Sequence, residues 1–181
     1  MNLSKLILKL VGWSVDITTP DYNKCIICVA PHTSNWDFIL GELAYWSIDR
    51  RAGFLMKEAW FFPPMGWIFR ALGGIPVPKK RGSSLSDVLV EKFKTSKRMV
   101  LAITPEGTRK GVAKWRRGFL YIADEAQVPL LLGAIDYKRK HIEVKTEFKP
   151  TGDVDADLRA IKKFYSQFNA KYPEKFITDD E

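Results

Sequence analysis

Cys25-Ile26-Ile27-Cys28-Val29-Ala30, followed by Pro31-His32-Thr33-Ser34-Asn35-Trp36-Asp37, is the stretch that sets the fold class of this chain. A near-continuous apolar run is typical of a strand that is covered on both faces. The small and polar residues behind it predict a loop, and residues 36–49 predict a helix. A buried strand, a loop and a helix in this order are the repeating unit of an α/β sheet.

The same alternation continues to the end of the chain. Further strands are predicted at residues 54–57, 75–77, 99–103, 128–135 and 141–148. Further helices are predicted at residues 2–13, 85–93, 115–126 and 153–173. We therefore predict one α/β domain over residues 1–181, with a mostly parallel or mixed central sheet flanked by helices.

Composition excludes a disordered chain and points to an anionic partner. Of 181 residues, 46% are apolar and 13% are aromatic, which is enough to bury a core. Lysine and arginine total 29 against 21 aspartate and glutamate, a net charge of +8. A basic protein favours nucleic acid, an anionic bilayer or phosphorylated small molecules, and charge alone does not choose among them.

The two cysteines, Cys25 and Cys28, are predicted to be core thiols. A structural zinc site needs four ligands, and the sequence has no second cysteine pair. Positions three apart in a strand point to opposite faces, so the two thiols are expected on different sides of the sheet. Sparse cysteine is typical of the reducing cytosol.

Residues 2–13 predict a short amphipathic helix. Lys5, Lys9 and Gly12 lie opposite its apolar face, and Leu8 is off the apolar stripe, which is formed by Leu3, Leu6, Ile7, Leu10, Val11 and Trp13. The helix either packs on the domain or lies on a membrane surface with its lysines toward anionic head groups. No secretory signal and no run of about 18 to 20 apolar residues is present, so a soluble or peripheral protein is expected.

Polar or charged segments follow four of the predicted strands. They are the His32 loop and residues 57–58, 79–81 and 106–109. If these strands run parallel, all four segments lie along the carboxyl edge of one sheet. Open α/β sheets bind their ligands at that edge.

His32 and Asp37 have the residue types and the spacing of a general base with its orienting partner. The loop between them can fold the carboxylate back onto one imidazole nitrogen. The other nitrogen then faces a substrate, which is the arrangement that proton abstraction requires.

The segment Glu106-Gly107-Thr108-Arg109 predicts a compact site for an anion. Gly107 lets the backbone bend sharply, Thr108 adds a hydroxyl, and Arg109 offers a planar fork of donors matched to phosphate. Glu106 would repel a phosphate, so it is expected to accept hydrogen bonds from substrate hydroxyls or to hold neighbouring loops. A surface turn with a local Glu–Arg ion pair remains the alternative.

Four ordered motifs resemble those of the glycerolipid acyltransferase family, whose best-known members are the 1-acylglycerol-3-phosphate acyltransferases. They are His-x4-Asp at 32–37, Gly73-Gly74-Ile75-Pro76-Val77-Pro78-Lys79, Pro105-Glu106-Gly107-Thr108-Arg109 and Val128-Pro129-Leu130. The first and third are specific in this pairing and order, and the second and fourth are weak. The resemblance covers about residues 25–135 and implies an acyltransferase-like fold.

The resemblance implies O-acyl transfer from an acyl-CoA or acyl-carrier-protein thioester to the free hydroxyl of a lysophospholipid, above all 1-acylglycerol-3-phosphate, in phospholipid biosynthesis. His32 would be the base and Asp37 its support. Glu106 would contact glycerol hydroxyls, while acceptor phosphate would bind Arg109 with Gly107 and Thr108. Direct attack on the thioester needs no acyl-enzyme, no metal and no cofactor beyond the thioester.

The implied location is the cytoplasmic face of the membrane, with peripheral attachment to an anionic surface and no nucleic-acid partner. Lys79 stands where the second motif usually has an arginine. A lysine serves phosphate as a point charge without the bidentate geometry. Lys79 is therefore assigned to acceptor binding, and this difference leaves the identity of the acceptor lipid open.

Other functions remain open from the residues alone. One alternative is an acyltransferase whose acceptor is another lysolipid, such as an aminolipid. A second is a phosphoesterase in which His32, Asp37 and Glu106 hold a metal. A basic membrane- or nucleic-acid-binding module without catalysis also fits the charge. The aromatic segment 60–69 either packs in the core or forms an apolar surface for lipid chains, and His141 is assigned a structural role.

Overall fold

The computed structural model describes residues 2–77 and 84–178. The strands are β1 (Ser14–Ile17), β2 (Lys24–Ala30), β3 (Gly53–Lys57), β4 (Gly74–Val77), β5 (Met99–Ile103), β6 (Leu130–Asp136) and β7 (His141–Phe148). The α-helices are α1 (Leu3–Leu10), α2 (Asn35–Trp46), α3 (Met65–Ala71), α4 (Leu85–Thr95), α5 (Gly118–Glu125) and α6 (Val154–Tyr165). Short 3-10 turns lie at Glu58–Trp60 and Pro173–Lys175. The predicted alternation of strands and helices is confirmed.

The strands form one seven-stranded sheet in the order β1-β7-β6-β2-β5-β3-β4. β2 is parallel to both β5 and β6, and β3 is parallel to β4 and β5. Only the β6–β7 pair is antiparallel among the pairs in the described residues. The predicted single α/β domain with a mixed sheet is therefore confirmed. The loops after β2, β3 and β5 open at one carboxyl edge.

Strand β2 is buried on both faces, as its apolar sequence predicts. Ile26 and Cys28 belong to the larger core cluster, and Cys25 and Ile27 belong to the cluster on the other face. The two cysteines are thus core thiols on opposite sides of the sheet. Burial raises the pKa of the Cys25 thiol to about 12 and that of Cys28 further still, so neither is a thiolate at neutral pH.

The N-terminal helix packs through the residue that its sequence pattern leaves off the stripe. Leu8 is only 2% exposed and packs with Leu40, Ala44, Ile135 and Ile142, whereas Leu3 and Leu10 are 70% and 76% exposed. Asn2 caps the helix by accepting the N–H of Lys5, and its amide donates to the carbonyl of Trp46 on α2. The helix is anchored to the domain while Leu3, Leu6, Ile7, Leu10 and Val11 of its apolar stripe are exposed.

Several element bounds differ from the sequence predictions. Strand β1 was not predicted, because a four-residue edge strand has little pattern of its own and depends on pairing with β7. Helix α3 was also not predicted, since it is short and follows Pro63-Pro64. Helix α6 ends at Tyr165, so the predicted helix over 153–173 is wrong beyond that residue.

Candidate active site

The loops that follow the neighbouring strands β2 and β5 enclose a cleft. Cys28 of β2 lies opposite Ile103 of β5 in the parallel register, so the two loops leave the sheet side by side. The cleft has a volume of about 470 Å³ and is lined by His32, Thr104, Gly107, Thr108, Arg109 and Lys110. The two specific motifs of the sequence therefore meet in one place at the carboxyl edge.

His32 presents one ring nitrogen to Asp37 and leaves the other for the cleft. Its Nδ1 lies 3.6 Å from Oδ2 of Asp37, and the imidazole is 17% exposed. Burial lowers the pKa of His32 below its ordinary value, the Arg109 charge lowers it further, and the Asp37 carboxylate opposes both. The imidazole is therefore neutral at physiological pH, the form in which it accepts a proton.

The Asp37 carboxylate also shapes the loop that carries His32. Its Oδ2 accepts the backbone N–H groups of Thr33 and Ser34, each at 2.7 Å, and its Oδ1 accepts the Ser34 hydroxyl at 3.1 Å. Ser34 in turn accepts the N–H of Trp36, which completes a capping box at the start of α2. The buried Asp37 carboxylate thus stabilises the N-terminus of α2 and also faces His32.

Glu106 is buried beneath the cleft and holds the His32 loop. It is 5% exposed, and both of its carboxylate oxygens accept the backbone N–H of His32, at 2.9 and 3.2 Å. This matches the loop-holding alternative of the sequence analysis, and contact with substrate hydroxyls stays a prediction. Burial raises the pKa of the Glu106 carboxyl to about 8.

Arg109 reaches back toward the start of α2. Its guanidinium donates to Oδ1 of Asn35, and Arg109 and Lys110 place positive charge at the cleft. Gly107 has a φ of +66°, a left-handed conformation that favours glycine. Among the described residues no ion pair joins Glu106 to Arg109, so the alternative of a surface turn with a local ion pair is wrong.

Two other sequence assignments have different outcomes. Lys79 lies outside the described residues, so its assignment to acceptor binding stays a prediction. His141 bonds the Ser14 hydroxyl at 2.7 Å and lies 3.4 Å from Glu143, which pairs it with a carboxylate that the sequence analysis did not assign. The Ser14 contact links β7 to β1, consistent with a structural role.

Tyr137 is a site residue that the sequence analysis missed. It directly follows β6, which is parallel to β2, and its hydroxyl donates to Oδ1 of Asp37 at 2.5 Å. The sheet-edge argument that grouped the other loops would also have included this position. A single tyrosine without a motif gives no further signal in one sequence.

The family model described as Acyltransferase matches residues 15–134. The chain belongs to the acyltransferase family. The solved structure of the 1-acyl-sn-glycerophosphate (LPA) acyltransferase PlsC from Thermotoga maritima is similar, with a TM-score of 0.57 and 18% identity over 93% of this chain and 78% of that one. At this identity the likeness shows a shared fold. Comparison with curated protein sequences gave no match.

Residues 2–77 and 84–178 of this acyltransferase contain neither a metal-ligand cluster nor a membrane-spanning helix. No group of three or more histidine, cysteine, aspartate or glutamate side chains in these ranges is placed to hold a metal ion. No helix there is both long and apolar enough to cross a membrane. The two specific motifs, with His32, Asp37 and Arg109, all fall inside the region that the family model matches.

Proposed function

We propose that this acyltransferase moves a fatty acyl group from an acyl-CoA or acyl-carrier-protein thioester to the free hydroxyl of a lysophospholipid, with 1-acylglycerol-3-phosphate as the acceptor. The observation that carries the proposal is the shared cleft of His32 and Arg109. A neutral imidazole and a guanidinium side by side suit an acceptor that has a hydroxyl to deprotonate and a phosphate to bind.

The proposed reaction uses both ring nitrogens of His32. Its free nitrogen takes the proton of the acceptor hydroxyl while the alkoxide oxygen attacks the thioester carbonyl carbon. The C–S bond of the tetrahedral intermediate then breaks, and the thiolate takes the proton from the imidazolium. The products are an ester and a free thiol. Between these two proton transfers His32 is an imidazolium, which Asp37 stabilises because its carboxylate lies 3.6 Å from Nδ1.

The cationic side of the cleft holds the acceptor phosphate. Arg109 offers two parallel donors, and Thr108 and Lys110 supply a hydroxyl and a second positive charge. A bound phosphate also offsets the charge by which Arg109 lowers the pKa of His32. Acceptor binding therefore makes the imidazole a stronger base when the hydroxyl is in place.

Lipid substrates require contact with a bilayer, and two exposed apolar segments support peripheral binding. One is the outward stripe of α1, which has Lys5 and Lys9 on the same helix. The other is the segment 60–72, where Trp67 is 71% exposed and Trp60, Phe62 and Ile68 are also exposed. Tryptophan and phenylalanine favour the interface, and the net charge of +8 suits the anionic cytoplasmic leaflet.

An acceptor panel tests the reaction. Purified protein is given acyl-CoA, or acyl-carrier protein in a parallel series, with vesicles that contain lysophosphatidic acid, monoacylglycerol or a lyso-aminolipid. Thiol release and mass spectrometry of the lipid are followed together. We expect thiol release and a diacyl phosphate product only with lysophosphatidic acid. Product from the aminolipid instead would establish the other acceptor class, and thiol release without any acceptor would refute acyl transfer.

Vesicle sedimentation tests the membrane surface. We expect the wild type to sediment with phosphatidylglycerol vesicles more than with phosphatidylcholine vesicles. Leu10→Ser and Trp67→Ala each remove a strongly exposed apolar side chain and should weaken this binding. Leu85→Ser on α4 is the matched control, because Leu85 is also an exposed leucine but belongs to neither segment. Equal loss in all three variants would contradict the assignment.

A further inference from the structure

A third loop reaches the proposed catalytic pair from the end of β6. The hydroxyl of Tyr137 donates to Oδ1 of Asp37 at 2.5 Å, while Oδ2 of the same carboxylate faces Nδ1 of His32 at 3.6 Å. The two oxygens therefore have different tasks. One is held by the tyrosine, and the other faces the base.

The two oxygens of this carboxylate are held by different donors. Oδ2 accepts two backbone N–H groups from the His32 loop, and Oδ1 accepts only the Ser34 hydroxyl besides Tyr137 among the contacts in the described residues. Without the tyrosine hydroxyl, Oδ1 would keep one donor at 3.1 Å. The carboxylate would then be freer to rotate and to move Oδ2 relative to His32.

Tyr137 itself is held firmly. Its ring packs edge-on against Trp13 with centroids 5.2 Å apart, and its backbone N–H donates to the carbonyl of Asn169 at 2.9 Å. The preceding residue, Asp136, is fully buried and bonds both Arg139 and Asn169. The hydroxyl is thus placed by packing that does not depend on the His32 loop.

We propose that Tyr137 is a positioning residue for acyl transfer, whose hydroxyl fixes the Asp37 carboxylate so that Oδ2 faces the imidazole of His32. This inference rests on the proposed function, in which His32 is the general base. It assigns no contact between Tyr137 and the substrate. The hydroxyl acts through Asp37 alone.

The same hydrogen bond affects the pKa of His32. The Asp37 carboxylate raises that pKa, so a carboxylate that is free to turn Oδ2 away from the imidazole raises it less. Among the described residues, the other charged or titratable groups near His32 are Glu106, Arg109 and Lys110, all from the loop after β5. Burial and the bond to Asp37 both raise the pKa of Tyr137, so its phenol stays a donor at neutral pH.

Tyr137→Phe removes the hydroxyl and keeps the ring against Trp13. We expect kcat to fall about tenfold with the acceptor KM changed by less than about twofold, since one hydrogen bond to a charged group is lost. Tyr22→Phe is the matched control, because that hydroxyl also donates to a carboxylate, Glu147, on an exposed part of the sheet. An unchanged kcat for Tyr137→Phe, or a loss confined to KM, would overturn the proposal.

An NMR titration separates this inference from the proposed reaction. The chain has two histidines, so the ring signals of His32 and His141 can be followed without turnover. In Tyr137→Phe we expect the pKa of His32 to fall, because Oδ2 of Asp37 is no longer held toward the imidazole, and the His141 ring signals to keep their wild-type positions. A His32 pKa equal to or above that of the wild type overturns the inference whatever the activity. A lowered His32 pKa in a protein that transfers no acyl group supports the positioning and refutes the reaction.

Discussion

The backbone N–H of His32 donates to both carboxylate oxygens of Glu106, at 2.9 Å to Oε2 and 3.2 Å to Oε1. The two residues are 74 positions apart in the chain and meet because β2 and β5 are parallel neighbours. A residue of the loop after β5 thus fixes the backbone of His32. The two motifs form one structural unit.

The Glu106 carboxyl makes stability depend on pH. Its pKa is raised from 4.5 to about 8 by burial, so the folded state holds the proton more tightly than the unfolded state does. This contribution is fully present below pH 4.5 and is lost as the pH rises through about 8. In the wild type, the free energy of unfolding measured with urea should be lower at pH 9 than at pH 5 by an amount that includes on the order of 2 to 4 kcal/mol from Glu106. Glu106→Gln should lack this part of the decline.

Glu106→Gln keeps an acceptor oxygen for the N–H of His32, so its fold and its cleft should persist. Glu174→Gln, in the exposed 3-10 turn near the C-terminus, serves as the comparison and should retain the wild-type pH dependence. An identical decline in the wild type and in Glu106→Gln would show that the buried carboxyl is not its source.

Arg109→Ala should weaken acceptor binding and shift the pH profile together. The acceptor KM should rise more than about tenfold, with the donor KM unchanged, because a charge-assisted contact to phosphate is lost. Since Arg109 lowers the pKa of His32, the acid limb of kcat/KM should move to higher pH. Initial rates over a range of acceptor concentration and pH measure both effects.

Arg98→Ala is the control for Arg109→Ala. Arg98 bonds Asp21 away from the cleft, so its removal should leave both the acceptor KM and the pH profile as in the wild type. A normal acceptor KM in Arg109→Ala would mean that the phosphate binds elsewhere.

Ser34→Ala separates a capping role from a nucleophilic one. Ser34 and Ser84 are both N-cap serines, of α2 and α4. Each alanine variant should lose about 1 kcal/mol of unfolding free energy. Only Ser34→Ala should also slow turnover, by roughly tenfold, because its hydroxyl bonds Asp37. A complete loss of turnover in a folded Ser34→Ala protein would instead indicate a serine nucleophile.

The sequence was sufficient for the elements that are buried on both faces. The apolar runs of β2 and β5 predict strands wherever they pack, and the sheet-edge rule then brought His32 and Arg109 together. Strand β1 could not be predicted in this way, since its four residues are ordered by pairing with β7. Short elements that depend on a distant partner carry little local pattern.

The contacts of buried polar groups were the other feature that could not be predicted from the sequence. Glu106 and Tyr137 act on the His32–Asp37 pair from loops that are distant in the chain, and only the register of the sheet brings them there. Leu8 shows the same limit for packing. Periodicity left open whether the apolar stripe of α1 packs on the domain or lies on a membrane surface, and it did not indicate that the domain buries the single leucine beside the stripe.

The most direct measurement of the central claim is the rate at which His32→Ala forms diacyl product, compared with the wild type under the same acceptor and thioester concentrations. Circular dichroism and the melting temperature show whether the variant is folded. We predict a loss of at least about 100-fold, because proton abstraction from the acceptor hydroxyl is the step that we propose for His32. A folded His32→Ala protein that forms product within a few-fold of the wild-type rate would contradict the account.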